Sequence, residues 1–101
     1  MWFNLTVTKI SEAEFSRIVE GLLDDADLIV KHNPIGTRDE TLMWMLLSCL
    51  LSYLSIADDQ APCFTGRPDA ATYAEAIRFI VRPRQAESFD IDQYLSRLSA
   101  A

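Results

Sequence analysis

Glycine and proline are scarce in this chain, three and four residues among 101, so it holds no collagen-like repeat, flexible linker or low-complexity tract. Histidine occurs once, as His32, and cysteine twice, as Cys49 and Cys63. Two cysteines without Cys-x-x-Cys or histidine-rich spacing form neither a disulfide framework nor a zinc motif. No metal or cofactor is therefore expected. Positive charge is also short: nine Lys and Arg stand against 15 Asp and Glu, for a net charge of −6 and a pI near 4.5. Sequence-independent binding to nucleic acid draws its affinity from cations on phosphates, so an acidic chain is a poor candidate for it. Long apolar runs are missing as well. The greasiest stretch, 42–57, has sixteen residues, includes Ser48, Ser52 and Ser55, and is flanked by Glu40 and Asp58-Asp59. A membrane span needs about twenty residues, so this run reads as a buried helix and no membrane association is expected. The opening Met1-Trp2-Phe3-Asn4 lacks the basic start and apolar run of a secretory leader. With two unpaired cysteines, a reducing cytoplasmic setting is the expectation.

Half of the residues are apolar and 24% are charged, which supports a packed core. At this length the expectation is a single helical domain over 1–101, mainly α. It is a compact four-helix arrangement around a central apolar helix, about 38–57, with a short N-terminal β-strand at about 3–9.

The strand rests on alternation: Phe3, Leu5 and Val7 against Asn4, Thr6 and Thr8. Its partner would be Leu28-Ile29-Val30 or the same strand of a second copy. The first helix starts at the capping box Ser11-Glu12-Ala13-Glu14 and carries Phe15, Ile18, Val19, Leu22, Leu23, Ala26, Ile29 and Val30 at spacings of three and four. It runs to about Lys31, although a break at Asp24-Asp25 followed by a strand over 28–31 is an alternative. Thr37-Arg38-Asp39-Glu40 is a second capping box and opens the central helix. Thr41, Ser48, Ser52 and Ser55 lie on one stripe of that helix, either its least buried side or a place where another helix approaches. A loop follows over 58–66, then a helix from Pro68, at the first helical position, to about Arg82. Its core face is Ala70, Tyr73, Ala74, Ile77, Ile80 and Val81, with Glu75, Arg78, Phe79 and Arg82 opposite. Asp90-Ile91-Asp92-Gln93 reads as a third capping box, before a last helix over about 91–99 that buries Ile91, Tyr94, Leu95 and Leu98.

Chemistry-bearing motifs are few. There is no Gly-x-Ser-x-Gly element and no calcium-loop spacing. A small enzyme or ligand-binding domain using His32, Cys63 and nearby acids is one alternative. A nucleic-acid-associated regulator using Arg78, Arg82 and Arg84 is another. Thr65-Gly66-Arg67-Pro68-Asp69 before a helix has the form of an anion site. The first reading is a non-enzymatic protein-interaction module of the adaptor, inhibitor or immunity type, which self-associates as a homodimer and binds another protein. Trp2 and Phe79, outside the expected core faces, are its candidate anchors, with Arg78 and Arg82 beside them. Glu20, Asp24, Asp25 and Asp27 would steer it toward a partner with a basic surface: residues 1–60 carry four basic and ten acidic groups, residues 61–101 five of each.

Overall fold

The 21-residue helix α1, Glu12–His32, runs unbroken through the acidic stretch at Asp24-Asp25, so residues 28–31 are helix and not strand. The capping box forms as the sequence implies: Glu14 N–H donates to Ser11 Oγ at 3.2 Å, and Ser11 N–H donates to Glu14 Oε1 at 2.9 Å. A computed structural model describes residues 9–32 and 36–100 of the chain, the side chains of 99 and 100 excepted. The strand expected over 3–9 lies outside the described residues except for Lys9, and so does Trp2. Among the described residues there is no strand. The nearest approach to one is an isolated parallel bridge from Ile10 to Gln85, with Ile10 N–H donating to Arg84 C=O and Ile10 C=O accepting from Ala86 N–H.

Helix α2, Arg38–Tyr53, opens on a full Thr37–Glu40 capping box. Leu42, Leu46, Leu50 and Leu54, at intervals of four, are buried along one line, flanked by Met43 and Leu47. The helix stops four residues short of the expected 57. Ser55, with φ of +54°, takes the left-handed position after the cap, while Ile56 N–H reaches Leu51 C=O and Ser55 N–H reaches Ser52 C=O. This is a Schellman ending without its usual glycine, so the sequence carried no glycine signal for it.

From there residues 54–69, including a 3-10 turn at Asp58–Gln60, return along the molecule to the start of α2. Arg67 lies over Gly36 beside Glu40, and Ala70 and Ala71 line one depression with Arg38 and Asp39. Helices α2 and α3 (Ala70–Val81) thus begin at the same end of the molecule, as long crossovers in helical bundles permit. Pro68 sits just outside α3. Asp69 is the cap, its Oδ1 accepting from Thr72 N–H at 2.8 Å and from Thr72 Oγ1 at 2.7 Å, because a carboxylate satisfies orphan donors that proline can only omit.

A 3-10 turn, Arg82–Arg84, and a turn with Ser88 at φ of +70° lead to α4, Ile91–Ala100, which runs back along the bundle. The third capping box is only half formed. Gln93 N–H donates to Asp90 Oδ1, but the adjoining orphan donor, Ile91 N–H, is taken by Gln85 Oε1. The core joins all four helices, with Phe15 and Val19 from α1, Ile77, Ile80 and Val81 from α3, and Ile91 and Leu95 from α4 against the α2 leucines. Ile10 and Phe89, which the periodicity did not select, are buried with them.

One polar contact ties the start of α1 to the end of α2: Tyr53 Oη donates to Glu14 Oε2 at 2.6 Å. That hydrogen bond, followed by those from Ser11, holds the Glu14 carboxyl below its ordinary value of 4.5. A depressed folded-state pKa contributes stability that is present above the unfolded value and lost as pH falls through the folded one. Tyr53→Phe is therefore expected to cost about 1 kcal/mol at neutral pH. The gap from wild type should narrow as pH drops below 4.5. Urea titrations of both proteins across that range check it, and a gap that does not depend on pH would contradict the assignment.

Candidate functional site

Of the anchors expected from the sequence, Trp2 lies outside the described residues and Phe79 within them. Phe79 projects from α3 with 69% of its surface exposed, beside Ile56, Pro83 and Arg84. The arginines around it are largely engaged within the chain. Arg82 makes a two-pronged contact with Asp92, at 2.6 and 3.1 Å; Arg78 bridges Glu75 and the same Asp92; Arg84 Nη1 donates to Ile80 C=O. These contacts fasten α3 to α4 and cap the end of α3, so the three arginines are not an open basic face. Arg82 holds the Asp92 carboxyl below its usual range.

On α1, Glu20, Asp24 and Asp25 are exposed, and Asp27 is paired with Arg38 at the start of α2. Among the described residues no group of three His, Cys, Asp or Glu is placed to hold a metal ion. His32 is exposed at the end of α1, while Cys63 lies in the crossover in a shallow depression with Phe64, Thr65, Arg67, Pro68, Asp69 and Thr72, which His32 does not line. The fold thus does not bring the two together there. The segment over 65–69 is not an open anion site either, since the Asp69 carboxylate occupies the start of α3 and carries the charge an anion would bring.

A different surface gathers at the end of the molecule where α1 finishes and α2 and α3 begin. A cleft of about 230 Å³ is lined by Ile29, Gly36, Glu40, Thr41, Trp44, Arg67, Pro68 and Tyr73. Trp44 is 51% exposed and Ile29 38%; Leu28, next to it in sequence, is 54% exposed. Ile29 thus leaves the core face to which its spacing assigned it. Phe64 packs edge-on against Tyr73 at 5.4 Å between ring centres. The Arg67 guanidinium lies directly over Gly36, where a Cβ would make that flexible side chain shift. Among the described residues, Arg67 makes no salt bridge, although Glu40 and Asp69 are close enough for their charges to act on one another. The hydrogen bonds to Thr37, backbone first, keep the Glu40 carboxyl below its ordinary value, and those to Thr72 do the same for Asp69.

Trp44 was the residue the sequence hid. It stands in a helix apolar nearly all round, and only its place on the stripe of Thr41, Ser48, Ser52 and Ser55 could have exposed it. Ser48, Ser52 and Ser55 are all exposed, so among the described residues this stripe is the open side of α2, with no helix packed on it.

Compared with protein-family models, with curated proteins and with solved structures, the chain gives no match. Among the described residues no helix is long and apolar enough to cross a membrane. What the structure defines is a four-helix domain, mainly α, with an exposed aromatic-and-arginine cleft at one end.

Proposed function

We propose that this chain is a non-enzymatic protein-interaction module that self-associates and acts by binding another protein. The observation that carries the reading is the half-exposed Trp44 beside Tyr73 and Arg67. Tryptophan, tyrosine and arginine are enriched among the few residues that dominate the energetics of protein interfaces, where a partner buries them fully. The cleft, at about 230 Å³, has room for a protruding side chain of a partner. Phe79 offers a second exposed anchor toward the other end of α3. The exposed carboxylates of Glu20, Asp24 and Asp25 would speed encounter with a partner that has a basic surface. The two free cysteines suit a reducing, cytoplasmic setting.

Affinity capture from the native cell, with wild type, Trp44→Glu and Phe79→Asp as baits, tests this reading. Wild type should retain a defined set of proteins that at least one variant loses. Identical recoveries on all three baits, or none above background, would refute it.

A further inference from the structure

We infer that residues 1–8 of this chain dock in the apolar groove beside Phe79, at the end of α3. The assignment is independent of the proposed interaction role. The groove has a volume of about 620 Å³, and Ile56, Phe79, Ile80 and Pro83 supply its apolar walls. Phe79 is 69% exposed, more than any other large apolar side chain among the described residues. The point at which residues 1–8 join the fold selects them as the occupant. Ile10 is fully buried and held on both sides: its N–H donates to Arg84 C=O at 2.8 Å, and its C=O accepts from Ala86 N–H at 2.9 Å. The bridge it makes with Gln85 is parallel, so the chain entering Ile10 comes alongside the chain entering Gln85. That neighbouring stretch is Arg82-Pro83-Arg84, which forms one rim of the groove. Residues 1–8 are thus attached beside the groove, and the pairing at Ile10 aims them along it.

Length and chemistry agree with the tether. An extended chain advances about 3.3 Å per residue, so the five steps from Ile10 to Leu5 span about 16 Å. From Arg84 back to Phe79 is also five steps, but at a helical rise they cover only about 8 Å. Leu5 and Phe3 therefore have the reach to cover the Phe79 ring. The alternation of Phe3, Leu5 and Val7 with Asn4, Thr6 and Thr8 offers one apolar face, and none of residues 1–8 has a charged side chain. The groove calls for none, since Arg82 is engaged by Asp92 and Arg84 donates to Ile80 C=O. A basic partner would meet these two arginines, and an acidic one would have to compete with Asp92. The same segment of a second copy has the same chemistry. The chain's own segment is tethered at the rim, however, and a short tether gives an effective concentration on the order of millimolar. A partner that uses Phe79 has to displace it.

Disulfide trapping tests the assignment, in the full chain with Cys49→Ala and Cys63→Ser so that only introduced thiols react. Asn4→Cys or Thr6→Cys, which leave the apolar face intact, is paired with Gln60→Cys in the groove or with Glu87→Cys in the turn before α4. Gln60 and Glu87 are both exposed, and Glu87 follows the Ala86 that bonds Ile10, so a segment ranging freely would reach it as readily. With oxidised glutathione, the pair at Gln60 should close within one chain about tenfold faster, or more, than the pair at Glu87. Adding Phe79→Asp should abolish the preference. Circular dichroism checks that each variant is helical, and Phe79→Ala replaces Phe79→Asp if the latter does not fold. Equal rates for the two pairs would overturn the inference, and so would a preference that survives loss of the Phe79 ring. Disulfides joining two chains would overturn it as well, by giving the groove to the segment of a second copy.

Discussion

Leu46→Ala is expected to destabilise the protein by about 2–5 kcal/mol, a large share of the ~5–15 kcal/mol that holds a domain of this size folded. Leu46 has no exposed surface and sits midway along α2, the helix packed against both α1 and α3. Removing its three outer carbons withdraws buried apolar surface and leaves a cavity between helices fixed by their other contacts. Relaxation can fill only part of it, because Leu42 and Leu50, one turn away on each side, are themselves buried and in place. The midpoint of thermal unfolding should fall by roughly 10 °C or more. Chemical denaturation gives the free energy directly, and a loss below about 0.5 kcal/mol would mean that α2 is not the core element described here.

Phe15→Ala should cost about 3–5 kcal/mol, with its effect concentrated on α4. The Phe15 ring is fully buried and packs against Phe89 at 5.3 Å and edge-on against Tyr94 at 4.9 Å, joining the start of α1 to the last helix and the turn before it. Such aromatic pairs contribute about 0.5–1.5 kcal/mol each beyond the area they bury. Helix α4 is only ten residues long, below the length at which an isolated helix persists in water, so it depends on this cluster, on Ile91 and Leu95, and on the Asp92 contacts with α3. Hydrogen exchange should show amides of α4 opening in the variant well before those of α2. Uniform loss of protection across both helices, at the full free-energy cost, would show that α4 does not open as a separate unit.

Helix starts were legible because their signals are local. The boxes at Ser11–Glu14 and Thr37–Glu40 form hydrogen bonds within four residues of chain, and the spacing of Phe15, Val19 and Ala26 fixes which side of α1 faces inward. Endings were harder to read. Ser55 adopts the left-handed conformation that usually advertises itself as glycine, and Asp69 displaced Pro68 as the start of α3 through a side-chain contact that spacing does not rank. The arginines at 78, 82 and 84 read as a charge cluster because Asp92, ten residues beyond Arg82, is remote in sequence and adjacent only once α4 folds back. The cleft was the least legible part. Ile29 carries the right period for the core, and Trp44 lies in a helix apolar nearly all round, where the stripe of Thr41, Ser48 and Ser52 was the one sign of an open side.

By itself the sequence determined an acidic, mainly helical chain, its main inward faces and most of its caps, since each depends on residues three or four apart. The tertiary structure alone decided that residues 54–69 carry the chain back so that α3 begins beside α2, and this places Arg67 over Gly36 and Tyr73 near Trp44. It also decided which apolar groups stay in water. Burial depends on how many neighbours arrive at a position. At the end where α1 stops, too few of the described residues arrive to cover Ile29 and Trp44, whereas farther along α2 Leu46 is fully buried between α1 and α3.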